Sequence, residues 1–405
     1  IITQKIMGLK IPDKPSIAVL PFLNISGDKE QEYFSDGLTE DLITDLSKVS
    51  GLFVIARNSA FAYKGKSVKV DEIGKELGVK FILEGSVRKI GSQVRITAQL
   101  IDTITGGHMW AERYDRDMKN IFSFQDEVRI KIVDALAVQI TSDDQKRIMH
   151  RGTQNPEAYD IYLKAKDYCE KQGIDDLIKG RQLLEKVIYL DPNFAKAYSS
   201  MAKTYFSQWI FGQNKEPVIL DKVLEWGEKA ITVNAEEPSG YSQLSHYYLW
   251  NKQHDLAIDK IQKAIALDPN NSDWLASYGE LLTYADAPEK GIEYLKKALR
   301  LDPKHPVWYL YALGHAYYLL GDHDQAIAAF EKAIEKDPGF WPSHLLAALS
   351  YHAKGLEEEA REAVKNALAG NENLASEKWE NIIPYKDPEA KQNMVALLKE
   401  VGIYK

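Results

Sequence analysis

The feature that most constrains this chain is an Asp-Pro step that recurs in an otherwise helical pattern. It stands at 191–192, 268–269, 302–303 and 337–338, and the last three prolines lie 34 and 35 residues apart. Proline lacks an amide hydrogen and clashes with the preceding turn, so each one ends a helix. A fixed period of this length marks one supersecondary unit repeated along the chain. The residues between the prolines recur as well. Leu313, Gly314, Tyr317, Gly321, Ala326, Phe330, Ala333 and Pro338 form one set. Tyr241, Leu244, Tyr248, Ala257, Ala264 and Pro269 form another, with Leu275, Gly279, Leu282, Gly291, Ala298 and Pro303 between them. Small residues let two antiparallel helices approach closely, and aromatics fill the gap between neighbouring hairpins. A single hairpin cannot bury its apolar face, so the units must stack.

This pattern resembles the tetratricopeptide repeat and implies an all-α superhelix that serves as a binding scaffold. About six units are expected over 156–370. The first, Pro156–Pro192, is divergent. The second has Asn234-Ala235 in place of Asp-Pro and carries an insertion around Gln208-Trp209-Ile210-Phe211-Gly212-Gln213-Asn214. Residues 371–405, with Leu397, Leu398 and Val401, are expected to form a capping helix over the last apolar face.

The first 140 residues have a different period. Ser16–Phe22 is a continuous apolar run, a buried strand, and Asn24–Asp28 reads as a loop. Leu38, Leu42, Ile43, Leu46 and Val49 share one helical face, closed by Gly51. Leu52–Ala56 predicts a second strand. Val70, Ile73 and Leu77 predict a short helix stopped by Gly78. Strands follow at 80–88, 93–102 and 107–115. In the second of these, Val94, Ile96, Ala98 and Leu100 alternate with Arg95, Thr97 and Gln99, as in a half-exposed antiparallel strand. Phe124, Val128, Ile132 and Leu136 give a last helix. The order β-α-β-α-β-β-β-α implies an α/β fold with a mixed sheet.

Several stretches in this half resemble the TolB-like amino-terminal domain. They are Lys14–Phe22, Tyr33–Leu42, Val54–Arg57, Leu83–Arg88 and Gly107–Tyr114. The resemblance covers about residues 14–142. The order of the two modules, an α/β domain followed by an all-α tetratricopeptide superhelix, resembles the C-terminal regulatory part of bacterial class III adenylate/guanylate cyclases. There the cyclase module lies upstream, and residues 1–13 would be a linker from it, with a second linker at 143–155. The same pair also follows winged-helix DNA-binding domains in bacterial regulators, where it would sense a small ligand. The chain begins at Ile1 without an initiator Met or a signal-peptide pattern, as expected of a fragment.

Composition narrows the function classes. Lys and Arg balance Asp and Glu across residues 1–150, so the whole net charge of −8 resides in 151–405. Phosphate neutralisation needs a basic excess, so nucleic-acid binding is not expected. No apolar run is long enough for a membrane helix, and the expected compartment is the cytoplasm. The single cysteine, Cys169, permits no intrachain disulfide; it is read as a small core residue, with a reactive thiol as the alternative. No phosphate-binding glycine loop, His-Glu-x-x-His motif or cysteine cluster is present. No cofactor, metal or catalytic residue is expected, and the chain is read as a non-enzyme whose parent could carry the cyclase.

Two sites are candidates. Resemblance to tetratricopeptide proteins places the second, fifth, ninth and twelfth positions of each first helix in a concave groove. These include Ser242, His246, Glu280, Trp308, Tyr311, His315, Tyr318, Leu345 and His352, a mixture of aromatics and polar tips suited to recognition. A protein or peptide partner, or the chain's own upstream catalytic domain, would bind there; the alternative is that the tyrosines serve inter-repeat packing. A homo-oligomer is compatible with either. The second candidate is Arg57, Arg88, Arg95 and Arg113, each on or beside a predicted strand. They could receive an anion or form salt bridges with Glu84, Asp102 and Glu112. Ser26-Gly27-Asp28 could line a pocket or form a plain turn. Trp209 and Phe211 would be either a docking point or a cover for the sheet domain.

Overall fold

A computed structural model describes residues 9–138, 141–142, 144, 152–171, 173–211, 216–371, 373–376 and 382–403. Most of the two expected linkers, residues 212–214 of the insertion and the side chain of Phe211 lie outside this description. The chain forms two compact units. The first comprises residues 1–243 together with two short turns, 264–271 and 301–304. The second comprises 244–263, 272–300 and 305–405.

The first unit holds a six-stranded sheet in the order β3-β1-β4-β5-β6, with β2 also paired to β4. Its strands are β1 (Ser16–Val19), β2 (Leu23–Asn24), β3 (Phe53–Val54), β4 (Phe81–Ile90), β5 (Gln93–Asp102) and β6 (His108–Asp117). β1 runs parallel to β3 and β4, while β4, β5 and β6 are antiparallel neighbours. The sheet is therefore mixed, as the element order implies. The expected loop at 24–28 differs at its start, because Leu23 and Asn24 pair with Ser86 and Val87.

Helices α1 (Glu32–Ser47), α2 (Arg57–Phe61), α3 (Val70–Leu77) and α4 (Ile121–Ala135) accompany the sheet, and α1, α3 and α4 pack against its strands. α3 ends where glycine allows it to, since Gly78 is left-handed at φ 63° and its N–H caps Gly74 O. α2 has no helical period in the sequence; it is one short turn following β3.

The alternation in β5 decides which face is buried. Val94, Ile96, Ala98 and Leu100 join Phe34, Leu38 and Leu42 of α1 and Phe124, Val128 and Ile132 of α4 in one core. That core does not stop at the sheet domain. Tyr159, Tyr162, Leu163, Leu184, Val187, Phe194 and Met201, all from the repeat region, belong to it. Phe122 meets Tyr159 edge to face at 5.2 Å.

A polar seam surrounds this shared core. On the α1 side stand Glu40, Asp41 and Asp45. Glu40 binds Arg57 at 2.9 Å and Lys166 at 2.5 Å. Asp41 accepts from Tyr159 Oη at 2.5 Å and lies 3.4 Å from Lys196 Nζ. Asp45 lies 3.3 Å from Arg129. Nearby, Asp160 holds Lys89 at 2.5 Å and accepts from Tyr33 Oη at 2.9 Å. Burial pushes the Glu40 carboxyl up, but Lys166 and Arg57 outweigh it and hold it well below the usual carboxylate range.

The repeat region consists of helix hairpins. Two lie in the first unit: α5 (Pro156–Glu170) with α6 (Ile174–Leu190), and α7 (Ala195–Phe211) with α8 (Pro217–Val233). Helix α9 (Pro238–Trp250) begins in this unit. The second unit contains α10 (His254–Leu267, up to Lys263), α11 (Ser272–Tyr284), α12 (Pro288–Leu301, up to Arg300), α13 (Val307–Leu319), α14 (His323–Lys336), α15 (Trp341–Ala353), α16 (Glu357–Gly370) and α17 (Pro388–Glu400).

The Asp of the Asp-Pro step has its own task. Asp191 and Asp337 each accept the N–H two residues on, from Asn193 and Gly339, at 3.0 Å. This Asx turn closes the hairpin while Pro stops the helix. Asn234 and Asn371 do the same for Glu236 and Asn373, also at 3.0 Å. The unit that lacks Asp-Pro thus keeps the turn, because an Asn side chain offers the same acceptor.

Asp268 and Asp302 differ, for their turns belong to the first unit. Asn270 donates to Ser47 O and Val49 O at 2.9 and 3.1 Å, at the end of α1. Asp302 accepts from Asn58 at 2.9 Å and from Ser59, and the Ala56 N–H donates to Leu301 O at 2.9 Å. Cys169 is half-buried, burial pushes its thiol up to about 11, and its sulfur fills the space that a Cβ on Gly180 would need. Trp209 is buried and stacks on Phe206 at 6.5 Å.

Candidate peptide groove

In the second unit the first helices of successive hairpins bring several of the expected groove residues together. His315 is buried on α13, flanked by Tyr311 one turn earlier at 6.1 Å between ring centroids and by Tyr284 of α11 at 5.0 Å. Tyr311 also packs on Phe330 and Phe340. Trp308 is half-buried and stands edge-on to Tyr309 at 4.5 Å. Tyr318 is buried, and its ring lies 5.7 Å from His323. Leu345 is buried on α15. His352 lies between Glu357 at 3.1 Å and Glu400 of α17 at 3.5 Å. Ser242 is buried and belongs to the first unit.

The surroundings set the charge of the titratable groups. Burial pulls the His315 imidazole down to about 3 and that of His246 to about 4, so both are neutral near pH 7. Burial pushes Glu280 up to about 7, and its neighbours Tyr284 and Tyr311 supply no cation to offset this. A carboxyl raised above its unfolded value binds its proton more tightly in the native state. The stability it allows is therefore fully present below about pH 4.5 and declines as pH rises toward 7. Glu280→Gln should remove this slope and stabilise the second unit at pH 8 by on the order of 2 kcal/mol. Urea titrations of both chains at pH 5 and pH 8 measure it; equal slopes would refute the assignment.

A segment of the chain itself packs against these residues. The segment 383–387, which precedes α17, runs back to α10, α11 and α13 and does not stay at the end of the array. Tyr385 is buried, with its ring 5.4 Å from Tyr284 and 5.5 Å from His315, and its hydroxyl is 2.5 Å from His315 Nε2. The Lys386 N–H donates to Tyr284 O at 2.9 Å. Tyr284 is the last residue of α11, where helical carbonyls have no partner within the helix. His254 Nε2 is 2.6 Å from Pro384 O, and Lys386 Nζ is 3.1 Å from Asp255. The expected capping helix is present as α17, burying Met394, Val395 and Leu398. The chemistry of the preceding segment was missed. Its only signal is the short apolar run Ile382-Ile383-Pro384-Tyr385, which has no helical period.

Three of the four arginines, Arg88, Arg95 and Arg113, are neighbours on β4, β5 and β6, while Arg57 stands apart. Arg57 opens α2, beyond the β3 edge of the sheet, and is held by Glu40 and by Glu170, each at 2.9 Å. Arg88 and Arg95 are direct cross-strand partners on β4 and β5. Asp115 bonds Arg95 at 2.6 Å and lies 3.6 Å from Arg113. The ion-pair partners also differ from those expected, because register and not sequence proximity selects them. Glu84 accepts from Gln99, Glu112 pairs with Lys131, and Asp102 lies 4.0 Å from Lys80. Ser26, Gly27 and Asp28 form a turn tied by Asn24, with Asp28 capping the short helical turn at 29–31. Among the described residues no helix is long and apolar enough to cross a membrane.

Comparison with known proteins decides what the hairpins are. Residues 276–305 and 307–340 match models of the tetratricopeptide repeat. These hairpins are tetratricopeptide repeats. Over 252 residues, 61% of its length, the chain is 46% identical to "Putative adenylate cyclase 3" of Rhizobium meliloti (strain 1021). The match takes up 42% of that protein, so the chain spans less than half the length of the relative. Among solved structures, the APC/C hetero-tetramer Cut9-Hcn1 aligns over 70% of this chain and 52% of its own, with 18% identity and a TM-score of 0.45. YrrB, described as a TPR protein with an unusual peptide-binding site, aligns over 47% of this chain and 93% of its own, with 22% identity and a TM-score of 0.34. The tetratricopeptide repeat is a helical scaffold fold.

Proposed function

We propose that this chain is a non-catalytic regulatory and protein-interaction part of a bacterial signalling protein of the class III nucleotide cyclase type, working in the cytoplasm. The observation that carries the reading is the 46% identity to a relative named as an adenylate cyclase, joined to tetratricopeptide repeats at 276–340. The aligned part takes up 42% of that relative, which leaves more than half of its length for a catalytic region. On this reading residues 14–142 are a TolB-like amino-terminal domain, and the groove around His315 receives a protein partner or the parent's own catalytic domain. The shared core of sheet and first repeats supports a rigid coupling element, because a ligand on either part would be felt by both.

The test is enzymatic. The purified chain alone should form no cyclic nucleotide from ATP or GTP. Added to the catalytic region of the cyclase-named relative, it should change the rate of cyclic AMP formation several-fold. Cyclic nucleotide made by the chain alone, or an unchanged rate at every molar ratio, would overturn the reading.

A further inference from the structure

The occupant of the groove states the chemistry that the groove recognises. Three successive residues each make a different kind of contact. Pro384 offers its carbonyl to His254, a buried side chain at the start of α10. Tyr385 packs its aromatic ring against both Tyr284 and His315, which touch each other, and completes a hydrogen bond with the His315 ring. Lys386 supplies a backbone N–H to the terminal carbonyl of α11 and a cation to Asp255. The receiving groups come from three helices, α10, α11 and α13, one in each of three successive hairpins. Such a site reads an extended chain, since main-chain and side-chain contacts alternate along it. Prolines at 384 and 388 restrict the backbone on both sides, so little freedom is lost when the segment docks.

The attachment is buried at residues 383–385 and exposed at Lys386. Beyond Asp387, whose side chain caps α17 through the Glu389 and Ala390 N–H groups, the chain resumes a regular helix. The Lys386–Asp255 pair is solvent-exposed, its side chains 50% and 89% accessible, so that end of the segment is held weakly. The buried end comprises Ile383, Pro384 and Tyr385.

We propose that the groove lined by His254, Tyr284, Tyr311 and His315 is a binding site for an extended peptide of Pro-Tyr-Lys type, and that Pro384–Lys386 is a tethered occupant which an external partner of the same chemistry must displace. This rests on the reading of the array as a protein-interaction module and names the ligand class for it. Tethering raises the effective concentration of the segment to on the order of millimolar, so a free peptide of comparable intrinsic affinity competes poorly until the segment leaves. Partner affinity is then set by the tail as much as by the groove.

The experiment uses the full chain and a fluorescent peptide with the sequence of residues 382–390. The wild-type chain should bind it about tenfold more weakly than the Tyr385→Ala chain, because that variant empties its own groove. A peptide carrying Tyr385→Ala should bind neither chain. Lys386→Glu, at an exposed position away from the core, should strengthen peptide binding in the same direction and covers the case in which Tyr385→Ala unfolds. Equal affinity of the peptide for all folded chains, or no binding to either variant, would overturn the proposal. No cyclase or external partner enters this assay. A failure here leaves the regulatory reading standing, and an unchanged cyclase rate leaves this site standing.

Discussion

Asp41→Ala is expected to destabilise the first unit by about 3 kcal/mol, with a fall in its melting temperature of about 10 °C. Asp41 is the point at which the polar seam converges. One carboxylate oxygen accepts from Tyr159 at 2.5 Å and from Gln125 at 3.3 Å, while the other faces Lys196 at 3.4 Å. Tyr159 and Gln125 are buried, and the Lys196 side chain is only 22% accessible. Truncation leaves an ammonium group without its counter-ion and a phenol without its acceptor. The cost is the desolvation of both, which exceeds what the intact contacts contribute relative to water. Asp41→Asn keeps an acceptor for Tyr159 and should cost roughly half as much. Glu362→Ala, an exposed carboxylate on α16, serves as a control expected to lie within about 0.5 kcal/mol of wild type. Chemical denaturation followed by tryptophan fluorescence measures all three. Asp41→Ala indistinguishable from the control would show that the seam contributes nothing.

Gly291→Val should cost the second unit about 3 kcal/mol or more. Here the constraint is backbone against backbone. A Cβ on Gly291 would lie 2.6 Å from the carbonyl oxygen of Gly279 and 2.8 Å from Thr283 Oγ1. A Cβ on Gly279 would lie 2.8 Å from the carbonyl oxygen of Gly291. The two glycines are therefore the closest approach of α11 and α12, and no rotamer can relieve the clash. The helices must separate, and the packing around Leu295 and Leu282 is lost with them. Gly321→Ala makes the useful contrast. That residue sits at φ 73° with nothing within 4 Å of its Cβ position, so its cost is conformational only, about 1 kcal/mol. If the two substitutions cost the same in urea titrations, close packing is not what Gly291 provides.

Much of this architecture is legible in the residues because it follows from period and turn chemistry. The 34- and 35-residue spacing of Pro269, Pro303 and Pro338 depends only on helix termination, and the alternation in β5 depends only on the pleat. Gly78 ends its helix where a left-handed residue is required. Features that depend on tertiary placement were not legible. Nothing local distinguishes Asp302, which binds Asn58 and Ser59, from Asp337, which closes its own turn. The arginine partners could not be chosen without the strand register. Tyr385 ends a short apolar run without a period, and only the fold brings it to His315, 70 residues earlier. Of the positions inferred by helical spacing, Tyr311 and His315 lie ring to ring, but spacing says nothing about which segment packs against them.

The shared core has a consequence for how such a protein can be assembled by recombination. A gene breakpoint within residues 143–155 falls at what looks like a module boundary. It would nevertheless part Phe122 from Tyr159, and Gly37 from the Leu163 side chain that covers it. Both halves would be left with apolar faces in water. Exchange of material ahead of residue 14 leaves these contacts intact. The sheet and its first two hairpins are thus expected to be inherited as one block, and new combinations with other modules to preserve residues 14–243 together with the turns at 264–271 and 301–304 that bond to them.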